Sequence, residues 1–195
     1  MGARTRSMAL RLGLELMATL VALVSPPSLP YSSFVLLTLV AILQTGVEFL
    51  VEGTQTSYEA WYEWYPDYSH TFTGFAVKPG DSIRTTVKAT SLVAGTATVE
   101  NLTTGKSVSH TFSNEGSLGS LCQTNAEWIV EDFESGSALV PFANFGSVSF
   151  TGASYVTGGS TKGVTGASIL DVKQGNTVET NCALSGSSGV TCQYV

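Results

Sequence analysis

The sequence predicts an all-β fold, an antiparallel β-sandwich of jelly-roll type with two curved sheets packed face to face. Three observations predict it. No stretch after Leu43 sustains a helical period, whereas short runs of alternating or β-branched residues recur between Gly, Asn, Ser and Thr. The 20 glycines among 195 residues supply the turns that such a chain needs. Hydrophobic residues make up 43% and charged residues 12%, against about 25% charged in an average globular chain, so one folded domain with a real core is expected rather than a disordered polymer.

Residues 1–39 read as a separate hydrophobic segment and residues 40–195 as the sandwich domain. Arg4, Arg6 and Arg11 stand at the front of an apolar run that reaches Val24, with Ser25-Pro26-Pro27 behind it, the layout of a secretory leader. Glu15 interrupts the run, and a second apolar stretch from Phe34 to Leu43 follows. A membrane anchor and an aberrant N-terminal segment therefore stay open beside the leader, and any membrane contact would run through this segment alone.

Within the domain, strands are expected over 40–49, 58–65, 70–75, 82–89, 97–101, 107–112, 126–133, 147–155 and 169–172, with two short pieces at the end. Lys78-Pro79-Gly80-Asp81 and Leu102-Thr103-Thr104-Gly105-Lys106 carry residues that preset or permit turn dihedrals. Cys182 and Cys192 bracket a Gly/Ser turn between two strand-like runs, which reads as a disulfide-stapled hairpin and fits export; Cys122 is left over. Asn101-Leu102-Thr103 is a glycosylation sequon compatible with secretion.

Charge and motif content exclude several function classes. Nine Lys+Arg against fifteen Asp+Glu give a net charge of −6, without the clustered cations that a phosphate backbone demands, so nucleic acid is excluded as a partner. Neither His70 nor His110 lies in ligand spacing with a cysteine; no metal is expected, and both read as surface residues. The sequence has no Gly-x-Ser-x-Gly elbow, His-Glu-x-x-His pair or P-loop, so serine, zinc and nucleotide chemistries drop out. An acid excess with sparse charge suits work at low pH.

Carboxylate chemistry remains. Strand side chains alternate between faces, so Glu59, Trp61, Glu63 and Tyr65 share one face, Glu127, Ile129, Glu131 and Phe133 another, and Ile42, Gln44, Gly46 and Glu48 a third. Acids beside large aromatics suggest a concave binding face rather than an ordinary solvated one. Such a groove serves a glycosidase using Glu63 and Glu131, a peptide hydrolase using a carboxylate and an amide, or a carbohydrate-binding sandwich without catalysis; spacing alone leaves all three open.

Three ordered runs resemble the glutamic peptidases, or eqolisins: Ala41-Ile42-Leu43-Gln44-Thr45-Gly46, Ala60-Trp61-Tyr62-Glu63-Trp64-Tyr65-Pro66 and Ala126-Glu127-Trp128-Ile129-Val130-Glu131-Asp132-Phe133-Glu134. Gly80-Asp81-Ser82-Ile83, Phe112-Ser113-Asn114-Glu115 and Val140-Pro141-Phe142 extend the resemblance across residues 40–195. It implies two seven-stranded antiparallel sheets, secretion, an acid endopeptidase without cofactor that acts on a polypeptide, and a monomer. By motif, Gln44 and Glu131 would form the catalytic dyad, rather than Glu127, and Glu48, Glu63, Tyr65, Phe133 and Glu134 would contact substrate. Family members carry strands ahead of the Gln motif, including a Trp-Val-Gly segment that ends Gly-Asp-Thr-Cys, and these motifs are not found here. That departure implies missing central strands, a lost partner for Cys122 and impaired turnover, while extra residues between Phe49 and Tyr58 imply a longer hairpin tip.

Overall fold

The computed structural model describes residues 7–17, 41–52, 54–131, 134–135, 138–139 and 141–195. Eight strands come first: β1 (Ser7–Met17), β2 (Ile42–Glu52), β3 (Gln55–Tyr65), β4 (His70–Thr71), β5 (Ile83–Ser91), β6 (Ala94–Asn101), β7 (Lys106–Phe112) and β8 (Glu127–Glu131). A 3₁₀ turn at Glu115–Ser117 precedes β8. Then follow β9 (Glu134–Ser135), β10 (Ala138–Leu139), β11 (Ser147–Thr151), β12 (Tyr155–Thr157), β13 (Ser160–Lys162), β14 (Lys173–Gln174), β15 (Thr177–Val178), β16 (Thr180–Ser185) and β17 (Gly189–Tyr194). Among the described residues no helix is long and apolar enough to cross a membrane.

The expected antiparallel sandwich is observed. Its main layer is a five-stranded sheet in the order β4-β3-β2-β1-β8, with three-stranded sheets β5-β6-β7 and β11-β17-β16 and three two-stranded ribbons beside it. The described residues thus form smaller sheets than the two seven-stranded ones that the resemblance implied. Residues 7–17 belong to the segment read as a leader, anchor or aberrant stretch, yet they form β1 between β2 and β8, antiparallel to both. Residues 18–40 lie outside the described residues.

Alternation along β2 and β3 decides which face is core. Leu43, Thr45 and Val47 are the Cα partners of Trp64, Tyr62 and Ala60. Leu43 and Trp64 join Ala97 and Phe112 of the β5-β6-β7 sheet in one buried cluster, and Val47 and Ala60 join Val99 in another, with Tyr62 packed against both. Burying such side chains stabilises the fold by about 1.5–3 kcal/mol for each large one. Val130 and the flanking Trp128 tie β8 to a third cluster with Phe142, Val164, Val190 and Cys192. The opposite face of the five-stranded sheet is left for Gln44, Glu48, Glu63 and Glu131.

Several local expectations change. The extra residues after Phe49 lengthen the strands rather than the tip, because the β2–β3 ladder runs on to Glu52↔Gln55. Residues 169–172 form no strand: Asp171 Oδ1 accepts the Cys182 N–H at 2.8 Å and the Thr180 hydroxyl at 3.2 Å, and Val172 N–H donates to Thr180 Oγ1 at 2.8 Å. These side-chain bonds take the place of a ladder. The strand expected over 70–75 shrinks to two residues, with Gly74 at φ 77°. Lys78–Asp81 turns as expected, with Gly80 at φ 87° and Asp81 N–H bonded to the Lys78 carbonyl at 3.1 Å.

The sequon is closed in the fold. Asn101 is 1% exposed, and its amide donates to Asp81 Oδ2 at 2.7 Å while accepting the Thr103 and Thr104 N–H groups at 3.1 and 3.0 Å. The asparagine serves the turn instead of presenting a glycosylation site. Cys182 and Cys192 form the expected disulfide as direct Cα partners across β16 and β17, and Cys122 is a free, exposed thiol.

Candidate active site

Gln44 lies at the centre of the open face of the five-stranded sheet, 9% exposed. None of the side-chain hydrogen bonds seen among the described residues uses its amide. The Trp64 indole N–H is enclosed without a hydrogen-bond partner among the described residues; the Gln44 amide is not enclosed in that way and stays within reach of solvent or a ligand atom. Its Cα partner on β3 is Glu63, 7% exposed. One row on, Gly46 faces Trp61; the next row pairs Glu48 with Glu59, which also accepts the Thr71 hydroxyl at 2.8 Å. Like charges directly opposite on neighbouring strands oppose folding while both are ionised. Tyr65 closes β3 opposite Ile42, 47% exposed.

Strand β1 carries these rows across to β8. Glu15 is the Cα partner of both Gln44 and Glu127; Gly13, of both Gly46 and Ile129; Arg11, of both Glu48 and Glu131. Gln44 and Glu131 therefore lie on the same face of one sheet, offset by two rows. With strands about 4.8 Å apart and about 3.3 Å of rise per residue, Glu131 is about 10 Å across and about 13 Å along from Gln44, and Glu127 about 10 Å straight across. By backbone distance Glu127 is the nearer of the two. The diagonal from Gln44 to Glu131 crosses Gly13 beside Gly46, two residues without side chains, whereas the row to Glu127 crosses Glu15.

Of the other residues expected at the site, Glu134 stands in β9 opposite Leu139, and Phe133 lies outside the described residues. Gly13 escaped the sequence reading. Its signal is the strict apolar–polar alternation from Leu10 to Leu16, a strand pattern inside what reads as a leader.

Behind the site, Tyr62 joins the two layers. Its ring stacks on His110 at 4.1 Å and 12° and on His70 at 5.5 Å and 26°. His110 is therefore a half-buried interlayer residue and not a surface one; burial chiefly, and the His70 charge, hold its pKa below 6.5 against the opposing pull of Glu115. His70 is exposed and pairs with Asp67 at 3.4 Å. The Tyr68 backbone N–H first, and then His70, lower the Asp67 carboxyl.

Comparison with known proteins agrees with this architecture. The profile of the peptidase A4 family matches residues 37–194. Aspergillopepsin-2 of Aspergillus niger is 59% identical over 155 residues, which cover 80% of this chain and 54% of that protein. Scytalidopepsin B of Scytalidium lignicola is 49% identical over 162 residues, covering 80% of this chain and 60% of that one. The chain thus spans little more than half the length of these curated relatives. The crystal structure of aspergilloglutamic peptidase from Aspergillus niger superimposes with a TM-score of 0.80 at 49% identity, covering 96% of this chain and 99% of that one.

Proposed function

Because the chain belongs to the peptidase A4 family, we propose that it is a secreted acid endopeptidase in which Gln44 and Glu131 act on a polypeptide bound across the five-stranded sheet. The observation that carries this reading is the register: Gln44 stands on the same sheet face as Glu131, with Gly13 and Gly46 between the two positions and no side-chain hydrogen bond tying up its amide among the described residues. Glu131, as carboxylate, takes a proton from water while the water oxygen bonds to the scissile carbonyl carbon. Gln44 Nε2–H donates to the oxyanion that develops, and Glu131 then returns the proton to the leaving nitrogen as the C–N bond breaks. A neutral amide donor does not titrate, so the oxyanion site survives the low pH at which a carboxylic acid is both a competent acid and a competent base.

Glu48, Glu63 and Tyr65, with Phe133 and Glu134 beyond β8, would contact the peptide on either side. The Cys182–Cys192 disulfide supports an oxidising, extracellular destination. The test is turnover of casein by the purified full chain at acid pH, which also measures how far turnover falls below that of longer relatives. Removing one oxyanion donor typically lowers kcat by about a hundredfold to a thousandfold, and Gln44→Ala is expected to do so. Turnover that persists unchanged in both Gln44→Ala and Glu131→Gln overturns the reading.

A further inference from the structure

With no side-chain hydrogen bond to hold it among the described residues, the Gln44 amide takes its position from its backbone, and the two neighbours of Gln44 are anchored on the far side of the sheet. Leu43 and Thr45 are both 0% exposed. Leu43 reaches across to β6 at Gly95, where an added Cβ would lie 2.6 Å from Leu43 Cδ2 and 2.8 Å from the Lys88 carbonyl oxygen. Only glycine leaves room for that approach. Thr45 donates from Oγ1 to the Trp61 carbonyl oxygen at 2.5 Å. Its own Cα partner is Tyr62, so the hydroxyl crosses to the neighbouring position on β3. This bond adds to the ladder at the point where the Gln44–Glu63 row meets the Gly46–Trp61 row, and so fixes the two rows relative to one another.

We infer that Thr45 is a positioning residue for Gln44, acting from the core face through the Trp61 carbonyl, with the Leu43–Gly95 contact as the second anchor. The inference rests on the reading of Gln44 as the oxyanion donor. A hydrogen-bond donor misplaced by a fraction of an ångström stabilises the transition state less, while ground-state binding of a long peptide, spread over many contacts, hardly changes.

The experiment is a double-mutant cycle on the full chain, read as kcat and KM for a peptide substrate at acid pH. Thr45→Val keeps the shape and removes the hydroxyl; kcat is expected to fall about tenfold with KM within about twofold. Thr45→Ser keeps the hydroxyl and is expected to restore kcat to within about threefold of the parent. Gly95→Ala, which pushes on Leu43, is expected to lower kcat with KM held. In a Gln44→Ala background neither Thr45→Val nor Gly95→Ala should lower the residual kcat further, whereas loss of general stability multiplies with Gln44→Ala. Equal losses in both backgrounds, or a Thr45→Ser variant as slow as Thr45→Val, overturn the inference. If Gln44→Ala itself leaves kcat unchanged, the oxyanion reading fails first, a result distinct from either of those.

Discussion

The two faces of the β2–β3 hairpin share one backbone and one ladder, yet they are built to opposite rules. On the core face Leu43, Thr45, Val47, Ala60 and Trp64 are buried against the second layer; the Thr45 hydroxyl is spent on a carbonyl within the sheet, and the Trp64 indole N–H is enclosed without a hydrogen-bond partner among the described residues. On the open face Gln44 and Glu63 are nearly as covered, but the Gln44 amide makes no side-chain hydrogen bond among the described residues and has the carboxylates of Glu63, Glu48 and Glu59 as its ladder neighbours. A period of two lets adjacent residues serve packing and chemistry in turn. Apolar packing is concentrated on one face, which leaves the other free to carry polar and acidic groups.

Substitutions that respect this division should separate rate from stability. The largest effect is expected on the open face: Glu131→Gln should lower casein turnover by about a hundredfold or more, with little change in the urea midpoint. Glu127→Gln should leave turnover close to the parent, and the reverse ranking would show that the row through Glu15, not the diagonal over Gly13, carries the chemistry. On the core face, Leu43→Ala should destabilise the fold by about 2–5 kcal/mol in urea titrations. A loss below the Ile→Val range would mean that the Leu43–Gly95 contact is slack.

Smaller effects sharpen the contrast. Replacing both Cys182 and Cys192 by Ala should remove about 2–3 kcal/mol of stability and leave kcat unchanged, because the staple sits in the β11-β17-β16 sheet. Altered kcat would tie that sheet to the reacting groups. The smallest effect concerns Tyr62 and its two histidines. His110 is held below 6.5 in the fold, so as pH falls below 6.5 the unfolded chain binds the proton first and stability declines, levelling off once folded His110 is protonated too. His110→Phe should flatten that decline between about pH 7 and pH 5 in thermal melts. An identical slope in the variant would place the proton elsewhere.

Much of this division was legible in the residues themselves. The alternation in β2, β3 and β8 puts Gln44 with Glu48 and Glu59 with Glu63 on shared faces, and the Cys182–Cys192 hairpin is marked by its Gly/Ser turn. What escaped were pairings between distant segments. Leu10–Leu16 alternates like a strand, but its arginine-led apolar surroundings favour a leader, and only contact with β2 and β8 shows where it lies. His110 looked like a surface residue because its partner Tyr62 is in the other layer. Asn101 satisfied a three-residue motif whose meaning depends on Asp81 and the turn beyond it. Periodicity reports local geometry; it is silent about which strand comes to lie beside which.

The place of β1 has a consequence for how the molecule is made. A ribosome releases β1 before β2 and β3, and β8 emerges only after all of β4 to β7. Until then the edge of β1 that meets β8 lacks that partner, and an exposed strand edge is a template for pairing with other chains. The strand that brings Gln44 and Glu131 into one sheet is thus synthesised well before the β8 that flanks it, and a nascent chain halted before Glu131 would present that edge to whatever it met first.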